Sequence, residues 1–201
     1  MADLIAGNGK LVFLDDNGDS AGDMVGGYPP LVYYKARKTS VQTFGDFAEE
    51  YISFNTADID THNFRQDSLY CEVPQDGLYR ISTQVAAEAT YIRDFVIGIL
   101  KSTDSSEITS SIDPVGTWIT IDTTGERYYG TSDQQGGTLT LSSTHSLSAG
   151  DRLTVRGVIN TTSGNATIQS DVGEIPGGSI DFNRDGYLTW FEVLKVGNAP
   201  S

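Results

Sequence analysis

The stretch Leu78-Tyr79-Arg80-Ile81-Ser82-Thr83-Gln84-Val85 alternates with a strict period of two. Successive side chains of a β-strand point to opposite faces, so Tyr79, Ile81, Thr83 and Val85 share one face. Leu139 and Leu141 in TLTLSST repeat the pattern, as do Leu153 and Val155. Phe95-Val96-Ile97-Gly98-Ile99-Leu100 is instead continuous and apolar, the pattern of a strand covered on both faces. LVYYKARK (31–38), FAEEYISFN (47–55), Leu69 to Val73 and RYYGTSD (127–133) are further candidate strands. Gly, Asp, Ser and Pro clusters bound these runs at intervals of roughly 8–15 residues, the spacing of an all-β sandwich or barrel. No segment sustains the 3.6-residue apolar period of a helix, and no long internal repeat is present.

With 201 residues the chain is long enough for a full hydrophobic core. Its net charge of −14 argues against binding a nucleic-acid backbone, where contact would add repulsion instead of releasing counterions. The simplest reading of the charge is solubility; a second is that some carboxylates hold divalent cations. Cys71 is the single cysteine, so neither an internal disulfide nor a cysteine-built zinc site is available. His62 and His145 are the two histidines. The opening MADLIAGNGK lacks a positive n-region and a long apolar run, which predicts no export signal. No stretch approaches the roughly 20 apolar residues of a membrane span, so no membrane insertion is expected.

Residues 1–31 differ from the rest. A short apolar run, Lys10 to Leu14, precedes the turn-rich acidic DDNGDSAGDMVGGYPP. Gly, Asp and the Pro29-Pro30 pair mark a loop or arm instead of a core element. The expected organisation is an N-terminal anchoring or packing arm over 1–31 and a β-rich head over 32–201.

One passage is more specific. Leu69-Tyr70-Cys71-Glu72-Val73-Pro74-Gln75-Asp76-Gly77-Leu78-Tyr79 resembles the hallmark of the complement component 1q globular head, an aromatic or apolar residue followed by Cys-Pro-Val-Pro-Gly-x-Tyr. Tyr51-Ile52-Ser53-Phe54-Asn55 is similar to that family's ITFN strand, and Ile97 to Lys101 to its apolar strand ending in Lys-Asn-Gly. Leu147 to Val155 resembles its L-x-x-GD-x-V-x-V hairpin, and Tyr187 to Phe191 stands where the family has SYFSGF. The resemblance spans about residues 32–197. Three departures stand out: Glu72 for the usual proline, an extra residue before Gly77, and a long insert from Thr103 to Glu126. The resemblance implies a ten-stranded jelly-roll sandwich, like that of tumour necrosis factor, that assembles as a homotrimer. Tyr33, Tyr34, Tyr128 and Tyr129 are candidates to line a threefold interface, where large flat side chains contribute most.

Chemistry is sparse. His145 lies beside Ser143 and Ser146 before Gly150, but a Ser-His pair needs tertiary support. His62 neighbours Asp58 and Asp60 in a polar loop. Glu49-Glu50 and Asp15-Asp16 are adjacent pairs, which a strand would send to opposite faces. Two sequons, at Asn160 and Asn165, matter only in a secretory pathway. No catalytic residue is expected.

The remaining signal is DFNRDGYLTWFE. Asp181, Asn183, Asp185, Gly186 and Glu192 fill the calcium-loop pattern D-x-[DN]-x-[DN]-G-x₅-E. Three readings compete: a partial calcium loop, an Asx-type turn with no ion, and a full helix-loop-helix. The full hand needs a preceding helix, which Pro176-Gly177-Gly178 opposes. If Tyr187 to Val196 is the closing strand, Glu192 lies roughly 16 Å from Tyr187, out of reach of one ion. The candidate Ca²⁺ ligands are therefore Asp181, Asn183, Asp185 and the Tyr187 carbonyl.

An extracellular-type recognition fold without an export signal fits a virion protein, made in a host cytosol and displayed outside after lysis. The expected function is a non-enzymatic phage structural protein, a capsid decoration or a fibre or tail head. The arm would contact other virion proteins, and the head would meet host surface glycan or protein. The alternatives are a secreted or cell-surface adhesin or ligand of the same fold and, less favoured, a carbohydrate-active jelly-roll enzyme.

Overall fold

The computed structural model describes residues 4–7, 10–13, 31–89, 92–103, 118–127, 136–161, 164–170 and 189–198, the first two by backbone alone. The chain divides into two compact units, Met1–Leu31 and Val32–Ser201. In the first, β1 (Leu4–Gly7) and β2 (Lys10–Phe13) pair antiparallel, with Leu4 opposite Phe13 and Gly7 opposite Lys10. In sequence, Asn8-Gly9 lies between them, the dipeptide most favoured in two-residue hairpin loops.

In the second unit the alternation of Leu78 to Val85 becomes β8 (Gly77–Glu88), whose Tyr79, Ile81, Thr83 and Val85 are all fully buried. Thr83 fits among them because its hydroxyl donates to the Trp190 carbonyl at 2.8 Å. One long edge of β8 pairs with β11 (Gly136–Leu147). The other pairs first with β14 (Trp190–Gly197) and then with β13 (Ala166–Ile168). Beyond β14 lie β3 (Tyr33–Arg37) and β6 (Thr56–Asp60); beyond β13 lies β4 (Gln42–Phe44). These form a seven-stranded sheet. The five-stranded sheet runs β10 (Ile119–Arg127), β9 (Ile92–Ser102), β12 (Arg152–Thr161), β5 (Glu49–Tyr51), with β7 (Cys71–Glu72) also on β12. All pairings are antiparallel, and the described residues form no helix.

Between the sheets, Ile81, Val85, Val193 and Phe191 of one meet Phe95, Ile97, Ile99 and Val155 of the other. The chain changes sheet between β8 and β9, between β10 and β11, and between β11 and β12. Sequence neighbours therefore do not pair there, and the result is the jelly-roll sandwich expected from the sequence. Its described residues hold twelve strand segments, of which β4, β5, β7 and β13 are two or three residues long.

Several expectations change. Leu147 to Val155 is not a hairpin: Ser148 to Asp151 make a tight turn joining strands of different sheets. Gly150 takes φ +85 there, and the Asp151 carboxylate accepts the Ser148 N–H at 2.9 Å. The supposed insert from Thr103 to Glu126 holds all but the last residue of β10, a strand hard to read because Ile121 is its one apolar residue packed on the core. Of RYYGTSD, Arg127 ends β10 and the remainder lies outside the described residues. In FAEEYISFN the ladder stops at Tyr51, although Ile52 and Phe54 remain core residues. The run Phe95 to Leu100 is covered on both faces at one end only. Leu100 sits under Tyr51 and Tyr70, whereas Val96 is 39% exposed. Cys71 is buried, and burial pushes its thiol well above the ordinary range.

At the end of β3, Lys38 is fully buried. Its ammonium donates to Gln42 Oε1 (3.0 Å), the Ser53 carbonyl (3.0 Å) and Ser53 Oγ (2.8 Å), all neutral. Burial lowers its pKa from 10.5 to about 8. Between those values the unfolded chain holds a proton that the folded head has released, so stability rises with pH across that window. Urea midpoints of the wild type should increase from pH 7.5 to 9.5, and Lys38→Met should remove the part of that increase due to this group.

Candidate functional site

A two-layer sandwich presents its second faces outward. On the seven-stranded sheet the registers align the outward residues into rows. Thr144, Arg80, Leu194 and Tyr33 form one row, and Ser142, Ser82, Glu192, Lys35 and Ile59 the next. Thr140, Gln84, Trp190 and Arg37 form a third.

The two halves of this face differ chemically. Along β11 the outward positions are Thr138, Thr140, Ser142, Thr144 and Ser146, all exposed, uncharged and short. Along β14 and β3 they are Trp190, Glu192, Leu194, Tyr33, Lys35 and Arg37. The halves meet at β8, where Ser82 Oγ and Ser142 Oγ lie 2.8 Å apart.

Glu192 is the centre of the second half. One carboxylate oxygen accepts the Tyr33 hydroxyl at 3.1 Å, and the other pairs with Arg80 at 3.5 Å. Burial first, and the Glu192 charge second, push the Tyr33 phenol up to about 12. The Lys35 ammonium stands 6.0 Å over the Trp190 ring, and Arg37 pairs with Asp58 at 2.9 Å. The network holds large side chains in one arrangement on this half of the face.

The opposite outer face, on the five-stranded sheet, carries its own small cluster. Tyr51, Tyr70 and Leu100 are buried beneath Trp118 and Leu69. Arg152 lies 5.0 Å over the Tyr70 ring and pairs with Glu72 at 3.2 Å. At the far end, Asp94 binds both Arg127 and Asn160, and these hydrogen bonds lower its pKa.

The sequence-derived candidates fall out as follows. Asp181, Asn183, Asp185 and Tyr187 lie outside the described residues, as do Tyr128, Tyr129 and the Asp15-Asp16 pair. Glu192 is in β14 with both oxygens engaged by Tyr33 and Arg80, as a strand residue and not a loop ligand. Tyr33 faces outward, but Tyr34 is a core residue stacked on Phe64 at 5.7 Å and edge-on to Phe191. Adjacent strand positions cannot share a face, so only one of this pair is available to a partner. Glu49 and Glu50 divide as expected: Glu49 pairs with Arg156 at 3.0 Å, and buried Glu50 accepts the Gly45 N–H at 3.1 Å.

His145 Nε2 lies 2.9 Å from Ser143 Oγ, two positions apart on one strand face. His62 Nδ1 meets its neighbour Thr61, while Asp58 pairs with Arg37 and Asp60 caps the Phe64 and Arg65 N–H groups. Among the described residues no group of three His, Cys, Asp or Glu side chains is disposed to hold a metal. The Asn160 amide donates to Asp94 at 2.8 Å from within β12, whereas Asn165 is exposed.

Two features were missed. Lys38 reads in sequence as one more basic residue at the end of a strand. Phe47 is 66% exposed and takes φ 60, a left-handed conformation that bulky residues rarely adopt. The hydroxyl strip was legible, since Thr and Ser alternate with Leu139 and Leu141.

The geometry defines an antiparallel jelly roll with a chemically divided outer face. No family model matches the sequence, and no curated protein matches it. Solved structures do match in fold. The Eiger tumour necrosis factor of S. frugiperda shares 12% identity with a TM-score of 0.60, covering 86% of this chain and 97% of that one. Murine APRIL, at pH 5.0, shares 10% identity with a TM-score of 0.55, over 83% of this chain and 99% of that one. The globular domain of zebrafish complement 1qA shares 8% identity with a TM-score of 0.50, over 83% and 98%. The chain thus has the jelly-roll fold of tumour necrosis factor and the complement 1q head.

A double-mutant cycle checks the central contact. Glu192→Gln and Tyr33→Phe should each cost about 1 kcal/mol, with a coupling of roughly 0.5–1 kcal/mol measured by urea denaturation.

Proposed function

We propose that this chain is a non-enzymatic structural and recognition protein that forms a homotrimer through the outer face of its seven-stranded sheet. The observation that carries this is the division of that face: a flat hydroxyl strip on β11 and a raised aromatic and charged half on β14 and β3. A face with two unlike halves suits head-to-tail contact, in which one half of each copy meets the other half of the next, and such contacts close into rings. The family resemblance implies that three copies close the ring.

The setting proposed is the outside of a virion. The separate unit Met1–Leu31, with its own β1–β2 pair, supports attachment to other virion proteins. The head would then be free to meet host surface glycan or protein. A second reading, a secreted or cell-surface ligand, is favoured by the names of the structural neighbours, a tumour necrosis factor, APRIL and a complement protein. None of the three is named as an enzyme. Imaging the protein on its particle separates the two settings.

Light scattering at micromolar concentration should give three times the chain mass, and Leu194→Asp should give a folded monomer with unchanged far-ultraviolet dichroism. A monomeric wild type overturns the trimer.

A calcium loop at Asp181, Asn183, Asp185 and the Tyr187 carbonyl belongs to the same proposal, with Glu192 excluded as a ligand by its place in β14. Titration with calcium chloride should release heat and raise the melting temperature, and chelator should reverse both. A silent titration leaves the segment an ion-free turn.

A further inference from the structure

Lys38 places a cation where the fold supplies only neutral oxygen. Among the described residues no carboxylate pairs with its ammonium; its partners are the Gln42 amide oxygen and the Ser53 carbonyl and hydroxyl. Three N–H donors meet three acceptors at 2.8–3.0 Å, so the group is saturated. Charged burial without a counter-ion is costly, and the depressed pKa reflects that.

The oxygen set is held by bonds that do not involve lysine. Gln42 Nε2 donates to the Tyr51 carbonyl at 2.8 Å, which fixes the direction of Oε1. That oxygen also accepts the Ser53 N–H at 3.0 Å and the Ser53 hydroxyl at 3.2 Å. A backbone carbonyl, an amide oxygen and a hydroxyl, aimed at one point, are the donors that hard monovalent cations and ammonium ions take. The site also joins the layers. Gln42 belongs to β4 of the seven-stranded sheet, and Ser53 follows β5 of the five-stranded sheet. The Lys38 N–H donates to the Thr189 carbonyl at 3.0 Å, beside the start of β14.

We propose that this pocket is an internal amine site filled by the chain's own side chain, and that the N–H donors of that amine, not the lysine's carbon stem, clamp the two sheets at this end. The ligand class is a small primary amine. Truncation to Lys38→Ala leaves the oxygens in place and removes both stem and charge.

The test is chemical rescue of the melting temperature in the full chain. Lys38→Ala should melt about 5 °C or more below the wild type. Added n-propylammonium chloride should recover at least half of the loss. Tetramethylammonium chloride, with no N–H donor, and n-propanol, with a single hydroxyl donor for three acceptors, should not. Equal recovery by n-propanol overturns the proposal, because volume alone would then suffice. No recovery by n-propylammonium in a folded variant also overturns it. Should Lys38→Ala fail to fold, Lys38→Met decides: it fills the stem's space without N–H donors, leaves the three oxygens unpaired and should also melt lower. A Met variant as stable as the wild type overturns the proposal.

Discussion

Strand β8 is the shared partner of the larger sheet. β11 runs along the whole of one edge, and β14 and β13 divide the other. Its inward side chains form one wall of the core, and its outward Arg80, Ser82 and Gln84 lie between the two halves of the outer face. Core and outer face thus depend on one register. A slip of one residue would send Tyr79 and Ile81 outward and bury Arg80, which makes the register strongly specified. Its partners come from roughly fifty residues away or more in sequence, so long loops must close before the strand is paired.

Period-two alternation made this strand legible, together with β11 and β12, because each keeps one face in the core. Legibility faded where that condition failed. β10 is an edge strand with Thr, Asp and Gly and little burial, so it read as an insert. The turn at Ser148 to Asp151 has ordinary tight-turn chemistry, yet it joins different sheets; nothing local distinguishes that from a hairpin. The apolar run of β9 looked uniformly covered because sequence cannot say that Trp118, Tyr51 and Tyr70 gather over Leu100 and leave Val96 bare.

The candidate site was legible in parts. Alternation assigns Tyr33 and Tyr34 to opposite faces, but which face is the core depends on Phe64 and Phe191, distant in sequence. Glu192 first stood out through a calcium pattern; its position opposite Lys35 and Ser82 gives it different work, organising Tyr33 and Arg80. Lys38 was invisible because its partners, Gln42 and Ser53, are polar residues of no special spacing.

The buried Cys71 has a consequence for how the chain meets oxidants and reductants. A thiol packed in the core and held protonated presents almost no thiolate, the species that attacks disulfides and oxidants. With no second cysteine in the chain, the molecule has no disulfide to gain in air and none to lose in a reducing cell. The thiol chemistry of the chain is therefore the same in reducing and in oxidising surroundings.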